Sequence, residues 1–230
     1  MSAVLLLDLD HTLYPSTLPT GDAVDSRIVR YIREHLGLSP DDADALRRKL
    51  SAKYGTTLKG LEILHGVDRE HYCDFIQDLE DALMPPPDPR LRAWLSDVVA
   101  KVPTYLFTNS RRDWVDRCLA SLGLADLLPG VLDIGFMEWV GKPEAVAFAR
   151  AESFIRGLHG DVRFIFADDR LDNLEQARLR GWSTIWIRPH DAPFDGFGWL
   201  TAGSAQEPHI ASTGHRVVNS LLELDIQTLL

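Results

Sequence analysis

Residues Leu5–Ser16 read LLLDLDHTLYPS. Three leucines lead into Asp8, and a second carboxylate, Asp10, follows two residues later. A short apolar run that ends on an acid pair reads as a buried strand delivering charge to its C-terminal end. Three further short apolar segments share that form: Thr104–Phe107 (TYLF), Arg163–Ala167 (RFIFA) and Ser183–Ile187 (STIWI). A weaker fifth is Val131–Phe136 (VLDIGF). Each is rich in apolar, β-branched or aromatic residues, as expected for strands covered on both faces of a parallel sheet.

Helix-like stretches lie between these strands. Asp113–Leu122 places Trp114, Val115, Cys118, Leu119 and Leu122 at helical spacing. Lys142–Gly157 is expected to bury Ala145, Val146, Ala149 and Phe154, and a short helix runs from Leu174 to Arg180, ended by Gly181. Alternation of strand and helix predicts an α/β fold with a Rossmann-like parallel sheet.

Residues 17–84 contain no strand candidate. Val24, Ile28, Tyr31, Ile32 and Leu36 form one amphipathic face, and Ser39 followed by Pro40 reads as the cap and first position of a second helix bearing Ala43, Leu46, Leu50 and Tyr54. Tyr72, Phe75, Ile76, Leu79 and Leu83 form a further face. The far edge, MPPPDP (Met84–Pro89), has four prolines in five positions and is a stiff connector. The expected organisation is an α/β core of residues 1–16 and 85–230 with an inserted all-helical cap of residues 17–84. The stretch YGTTLKGL (Tyr54–Leu61) is expected as a loop between cap helices, with Tyr54 and Lys59 as candidate substrate contacts.

Composition limits the partners. The 230 residues carry a net charge of −10, against a grip on the phosphate backbone of nucleic acid or on an anionic membrane surface. No run approaches the length of a membrane span, and the N-terminus has no basic stretch of a signal peptide. The two cysteines, Cys73 and Cys118, show no CxxC pattern and read as buried free thiols of a cytoplasmic protein. The expected partner is a small molecule, and the protein a monomer or homodimer. The eight histidines show no metal-binding spacing such as HExxH, and His11, though inside the acid motif, is expected to take no catalytic part. Trp182 and Trp186 read as core. The glycine-rich DGFGWLTAG (Asp195–Gly203) lacks the order of a dinucleotide fingerprint and reads as a surface loop or an oligomer contact.

The polar residues collect at strand ends. Asp8 and Asp10 follow the first strand, Thr108 and Asn109 follow TYLF, and Asp168 and Asp169 follow RFIFA. In an open parallel sheet that rim is where ligands bind. One acid after a strand can be no more than the N-cap of the next helix. Four carboxylates brought to one rim would repel by several kcal/mol at an effective dielectric of about 20, which a hard cation such as Mg²⁺ relieves.

The ordered set DLDHTL (Asp8–Leu13), LFTNS (Leu106–Ser110), GKPE (Gly141–Glu144) and FADDRLDN (Phe166–Asn173) resembles the four motifs of the haloacid dehalogenase superfamily of aspartate-nucleophile phosphohydrolases. With the cap, the resemblance spans nearly all of residues 3–187. LDHTLYPS, YGTTLKGL and CLASLGLADLL (Cys118–Leu128) are similar to its pyrimidine 5′-nucleotidase-like branch. The resemblance implies Mg²⁺-dependent hydrolysis of a nucleoside monophosphate. It implies Asp8 as nucleophile and Asp10 as general acid and base, touching the metal through its backbone carbonyl. Thr108, Asn109 and Lys142 would bind phosphate, with Asp169 a direct and Asp168 a water-mediated metal ligand. Asp172 is expected as a helix cap or a residue behind the metal ligands, and Asn173 as a group orienting Lys142 or the loop. A phosphatase of another small metabolite, of sugar phosphate or phosphoglycolate type, fits the same motifs. A phosphomutase, a dehalogenase and a non-turnover phospho-accepting module fit less well, the dehalogenase because its reaction leaves Asp10 no alcohol to protonate.

Overall fold

The computed structural model of the chain describes residues 2–188 and 214–228; the DGFGWLTAG stretch lies outside them. The chain opens on β1 (Ala3–Leu7) and continues through α1 (Pro19–Leu36), α2 (Pro40–Tyr54), α3 (Thr57–His65) and α4 (Arg69–Gln77). It then runs α5 (Pro89–Val99), β2 (Thr104–Phe107), α6 (Arg112–Leu122), β3 (Val131–Leu132) and α7 (Ala145–His159). The last elements are β4 (Arg163–Asp168), α8 (Leu171–Leu179), β5 (Ser183–Ile187) and β6 (Arg216–Val218).

The six strands form one sheet in the order β3-β2-β1-β4-β5-β6, and every pairing is parallel. All five residues of β1 are buried, as its unbroken apolarity requires of a central strand. The register pairs Leu7 with Leu106 on one side and with Ala167 on the other. Asp8 therefore emerges level with Phe107 and Asp168, and Asp8 N–H donates to the Ala167 carbonyl at 2.9 Å. Beneath one face, Phe107, Phe148, Phe166 and Trp182 pack at ring separations of 5.2 to 6.4 Å, and Phe164 stacks on Trp182 at 4.8 Å. Trp182 and Trp186 lie in this core, and Cys73 and Cys118 are buried free thiols.

Several elements differ from their sequence reading. The segment from Val131 is a strand only to Leu132; Asp133 then accepts the Phe136 and Met137 N–H groups and turns the chain. Helix α7 buries Ala147, Phe148, Ala151 and Ile155, the face opposite the expected one, and leaves Val146 and Phe154 exposed. Both faces carry apolar residues, so spacing alone does not separate them. Helices α5 and α3 and strand β6 were not expected. The helix expected across Tyr72–Leu83 stops at Gln77, and Leu83 belongs to a short 3₁₀ turn.

The chain forms two compact units, one of the residues up to Thr17 and from Pro85, the other Leu18–Met84. The second unit is helical throughout. Ser39 caps α2 by accepting the Asp42 N–H at 3.2 Å, and Arg27 of α1 donates to the Phe75 carbonyl of α4 at 2.6 Å. The YGTTLKGL stretch is not the expected loop. Tyr54 ends α2, Thr56 caps α3 by accepting the Lys59 N–H at 3.1 Å, and Lys59 sits inside that helix. Gly60 serves helix packing: a Cβ there would lie 2.7 Å from Leu50 Cδ2, 2.8 Å from Leu50 Cβ and 2.9 Å from Tyr54 Cδ2. Leu50 Cβ belongs to the stem of its side chain and cannot swing aside. Gly60→Ala is expected to force α2 and α3 apart and destabilise the helical unit by about 1–3 kcal/mol, read as a lower thermal midpoint. An unchanged melting curve would show that the two helices separate without cost.

Candidate active site

Four loops at the C-terminal ends of β1, β2, β3 and β4 converge around Lys142. Its Nζ lies 2.8 Å from Asp8 Oδ1 and 2.7 Å from Asp168 Oδ2, and the residue is 2% exposed. The ammonium also sits 5.2 Å from the Phe107 ring centre and 5.0 Å from that of Phe166. Burial opposes the charge of Lys142, but Asp168 and Asp8 outweigh it and hold the ammonium above its ordinary lysine value.

The backbone of Lys142 is clasped as firmly as its side chain. Asn109 Oδ1 accepts the Lys142 N–H at 2.8 Å, and Asn109 Nδ2 donates to the Lys142 carbonyl at 2.9 Å. The preceding loop takes left-handed backbone at two non-glycine residues, Glu138 (φ 53°) and Trp139 (φ 62°). Such conformations are sparsely populated and persist only where the surroundings enforce them. Gly141 must be glycine, because a Cβ would fall 2.5 Å from Asn109 Oδ1 and 2.9 Å from Ile134 Cδ1.

Asp168 is fully committed. Its Oδ1 accepts Arg170 N–H at 2.7 Å and Asn173 Nδ2 at 3.1 Å; its Oδ2 accepts Lys142 Nζ and Asn173 Nδ2 at 3.0 Å. Asn173 therefore orients Lys142 through Asp168. Asp172, the second residue of α8, accepts the Asn173 N–H at 2.9 Å and pairs with Arg170; it is not the expected cap, since the N-cap position is Arg170 and carries no side-chain cap bond. Asp169 differs. Among the described residues no side chain donates to its carboxylate, while its carbonyl accepts Trp186 Nε1 at 2.9 Å. Thr108 is 1% exposed; its N–H donates to the Leu132 carbonyl and its Oγ1 accepts the Ser110 N–H at 3.1 Å, which leaves its hydroxyl proton to donate.

Asp10 points elsewhere. Its carboxylate accepts from Tyr14 Oη and from Trp114 Nε1 at 3.0 Å on Oδ1, and from Ser110 Oγ at 2.5 Å on Oδ2. Burial first, and then the charge of Asp10, push the Tyr14 hydroxyl well above its ordinary value, so it remains a donor. His11, at φ 61°, is the left-handed residue of this turn.

One ammonium does not balance these acids. Asp8, Asp168 and Asp169 present oxygens within 4.8 Å of one another. Burial raises Asp8 well above the ordinary carboxylate range; Lys142 opposes this, while Asp168, Asp169 and Asp10 add to it. Burial and Asp168 likewise raise Asp169, against Arg170 and Lys142. An all-oxygen donor set with surplus negative charge, including one carboxylate that no side chain satisfies among the described residues, fits a small hard cation.

The fold is that of the haloacid dehalogenase superfamily of hydrolases. The L-2-haloacid dehalogenase of Xanthobacter autotrophicus, solved with chloropropionic acid covalently bound, superimposes with a TM-score of 0.53 at 17% identity, over 96% of this chain and 95% of that one. A magnesium-bound HAD-hydrolase of Bacillus subtilis gives a TM-score of 0.54 at 17% identity, over 84% and 89%. In sequence, the chain is 29% identical over 196 residues to phosphate metabolism protein 8 of Saccharomyces cerevisiae, covering 79% of this chain but only 60% of that protein. It is 27% identical over 184 residues to enolase-phosphatase E1 of Streptomyces avermitilis, covering 76% and 72%. No profile of a known protein family matches the chain.

Asp8, Thr108, Asn109, Lys142, Asp168 and Asp169, singled out in the sequence, thus come together, whereas Tyr54 and Lys59 belong to the helical unit. Sequence reasoning missed Tyr14, Ser110 and Trp114. Trp114 was assigned to the core on helical spacing, and nothing in that spacing shows that its indole N–H reaches Asp10. If the Asn109 clasp fixes the Lys142 backbone, Gly141→Ala should preserve the far-ultraviolet circular dichroism yet destabilise the protein by about 1–3 kcal/mol, read as a lower thermal midpoint. An unchanged midpoint would show that Asn109 yields without cost.

Proposed function

We propose that the protein is a Mg²⁺-dependent phosphomonoester hydrolase that works through an aspartyl-phosphate on Asp8. The observation that carries this reading is Asp8 itself, a buried carboxylate with one oxygen 2.8 Å from a buried ammonium and Asp169 beside it. Asp8 attacks phosphorus in line with the leaving oxygen. Thr108 Oγ1 and the Asn109 backbone N–H donate to phosphoryl oxygens, and Lys142 offsets their charge. The Asn109 side chain is already spent on Lys142, so only its backbone is assigned to phosphate. Asp10 protonates the leaving alcohol and then takes a proton from water. Asp8, Asp169 and the Asp10 carbonyl would hold Mg²⁺, with Asp168 behind them, and the ion supplies charge neutralisation of the phosphoryl group when bound.

The substrate we assign is a nucleoside 5′-monophosphate. This rests on the similarity of LDHTLYPS, YGTTLKGL and CLASLGLADLL to the pyrimidine 5′-nucleotidase-like branch. The phosphatase named among the relatives supports the broader class. Residues 17–84 then act as a cap that selects the leaving group. Tyr54 packs against Gly60 and lies under Lys53 Nζ at 5.0 Å, a structural duty, so Lys59 is the better candidate for substrate contact. The two buried free thiols fit a cytoplasmic setting. Dehalogenation is the second reading, because dehalogenases share the fold; halide release from 2-chloropropionate would establish it.

Asp8→Asn keeps shape and removes the attacking charge. It should cost at least ~10³-fold in kcat, about 4 kcal/mol in the barrier. Turnover above about a tenth of wild type would remove Asp8 from the nucleophile's role. Chelation by EDTA should abolish activity and Mg²⁺ restore it, and Asp169→Ala should raise the Mg²⁺ requirement, because among the described residues no other side chain claims that carboxylate. Asp168→Ala should instead depress kcat at saturating Mg²⁺, because it frees Lys142. Full activity after metal stripping would exclude the ion from the mechanism. Across a panel of phosphomonoesters, Lys59→Ala should raise KM for the preferred nucleotide and leave p-nitrophenyl phosphate unchanged; equal losses on all would point to cap folding instead.

A further inference from the structure

We propose that Trp114, Tyr14 and Ser110 are positioning residues that divide the work of Asp10 between its two oxygens, Oδ1 as a fixed anchor and Oδ2 as the oxygen that exchanges the proton. The proposal rests on the reading of Asp10 as the acid and base of phosphoryl transfer. Its basis is an asymmetry in the three hydrogen bonds. Oδ1 takes two of them, from Trp114 Nε1 at 3.0 Å and from Tyr14 Oη. An indole nitrogen is only ever a donor, so Oδ1 must offer a lone pair for as long as that contact holds. With Tyr14 as well as Trp114 donating, both lone pairs of Oδ1 are filled and it has no room for a proton. Among the described residues Oδ2 has one partner, Ser110 Oγ at 2.5 Å. A hydroxyl both donates and accepts, so Ser110 can face Oδ2 whether or not that oxygen is protonated.

The donors come from two stretches of chain. Tyr14 follows β1, Ser110 follows β2, and Trp114 is the third residue of α6; Tyr14 and Trp114 are each 3% exposed. Ser110 is tied in turn to Thr108, whose Oγ1 accepts its N–H. Three anchors fix the plane of the carboxylate as well as its place. A carboxylate free to rotate would carry its proton away from the leaving oxygen for much of the time, and positioning is where such catalysis gains most.

The steps balance as follows. In the first half-reaction an Asp8 oxygen bonds to phosphorus and the bond from phosphorus to the leaving oxygen breaks. The proton on Asp10 Oδ2 passes to that oxygen, and Asp10 is left as a carboxylate. In the second, a water oxygen bonds to phosphorus while one of its protons moves to Oδ2, and the bond between Asp8 and phosphorus breaks. Both carboxyl groups return to their starting forms, and Oδ1 keeps its two donors throughout.

The test is leaving-group dependence. Nitrophenolate departs with little help from an acid, whereas an alkoxide needs its proton. kcat/KM reports the steps through departure of the leaving group, so it isolates the acid role from the later hydrolysis. Tyr14→Phe removes one hydroxyl at constant shape, and Trp114→Phe removes the indole donor. For each, kcat/KM on an alkyl phosphomonoester that the wild type hydrolyses should fall at least ~10-fold further than on p-nitrophenyl phosphate. Equal losses on the two substrates, or no loss in the soundly folded Tyr14→Phe, would overturn the proposal. Asp10→Asn separates the two levels. A selective loss there, without one in Tyr14→Phe or Trp114→Phe, defeats the positioning proposal alone. No selective loss in Asp10→Asn, or a wild type that cleaves no alkyl ester, defeats the acid reading and the proposal with it.

Discussion

A single buried ammonium sets the terms for this site. Lys142 Nζ bridges Asp8 and Asp168 at 2.8 and 2.7 Å with almost no exposure to solvent. An unpaired charge in that position would cost several kcal/mol, and removing one partner of a buried pair typically costs 3–5 kcal/mol. The two acids must therefore stand level on adjacent strands, which the β1–β4 register provides. The lysine must arrive from a loop on the far side of β2, and that explains features otherwise without a purpose. Asn109 holds the Lys142 peptide at both ends, Gly141 gives the amide room, and Glu138 and Trp139 take left-handed backbone to bring the loop round.

The adjacent acids Asp168 and Asp169 show how one strand end can serve two purposes. Successive side chains leave a strand on opposite sides. Asp168 turns to Lys142 and spends every acceptor site there, on Arg170 and on Asn173. Among the described residues no side chain donates to the Asp169 carboxylate, and Trp186 holds its carbonyl. One acid stabilises a protein cation; its neighbour keeps capacity for a mobile one. Their identical chemistry in the sequence becomes a division of labour only through the direction each side chain takes.

That contrast marks what a sequence can disclose. Strand ends bearing Asp8, Thr108 and Asp168 were legible because short apolar runs bounded by polar residues have few other meanings. Ser39 and Pro40 were legible for the same reason: a cap is a local device. Faces of helices were less so. On α7 the residues Ala145, Val146, Ala149 and Phe154 form as good a stripe as Ala147, Phe148, Ala151 and Ile155, and only the sheet decides between them. Long-range hydrogen bonds were not legible at all. Trp114 lies 104 positions from Asp10, and Ser110 lies 100 positions from it, and no period in the chain links them. Gly60 likewise has its space filled by Leu50 and Tyr54 of the neighbouring helix, a contact no local pattern signals.

A shared fold leaves the chemistry open, since one scaffold carries dehalogenases as well as phosphohydrolases. The choice between them turns on few atoms. A nucleophilic aspartate beside a lysine serves either reaction. A halide leaves without a proton, so a dehalogenase has no use for a second carboxylate two residues on, still less for one gripped by three donors. Carboxylates facing other carboxylates are costly to keep, and Asp10 adds to the charge that already pushes Asp8 up. Tyr14, Ser110 and Trp114 arranged around Asp10 suit a leaving group that needs a proton, and the proposal of phosphate-ester cleavage draws more support from them than from Asp8.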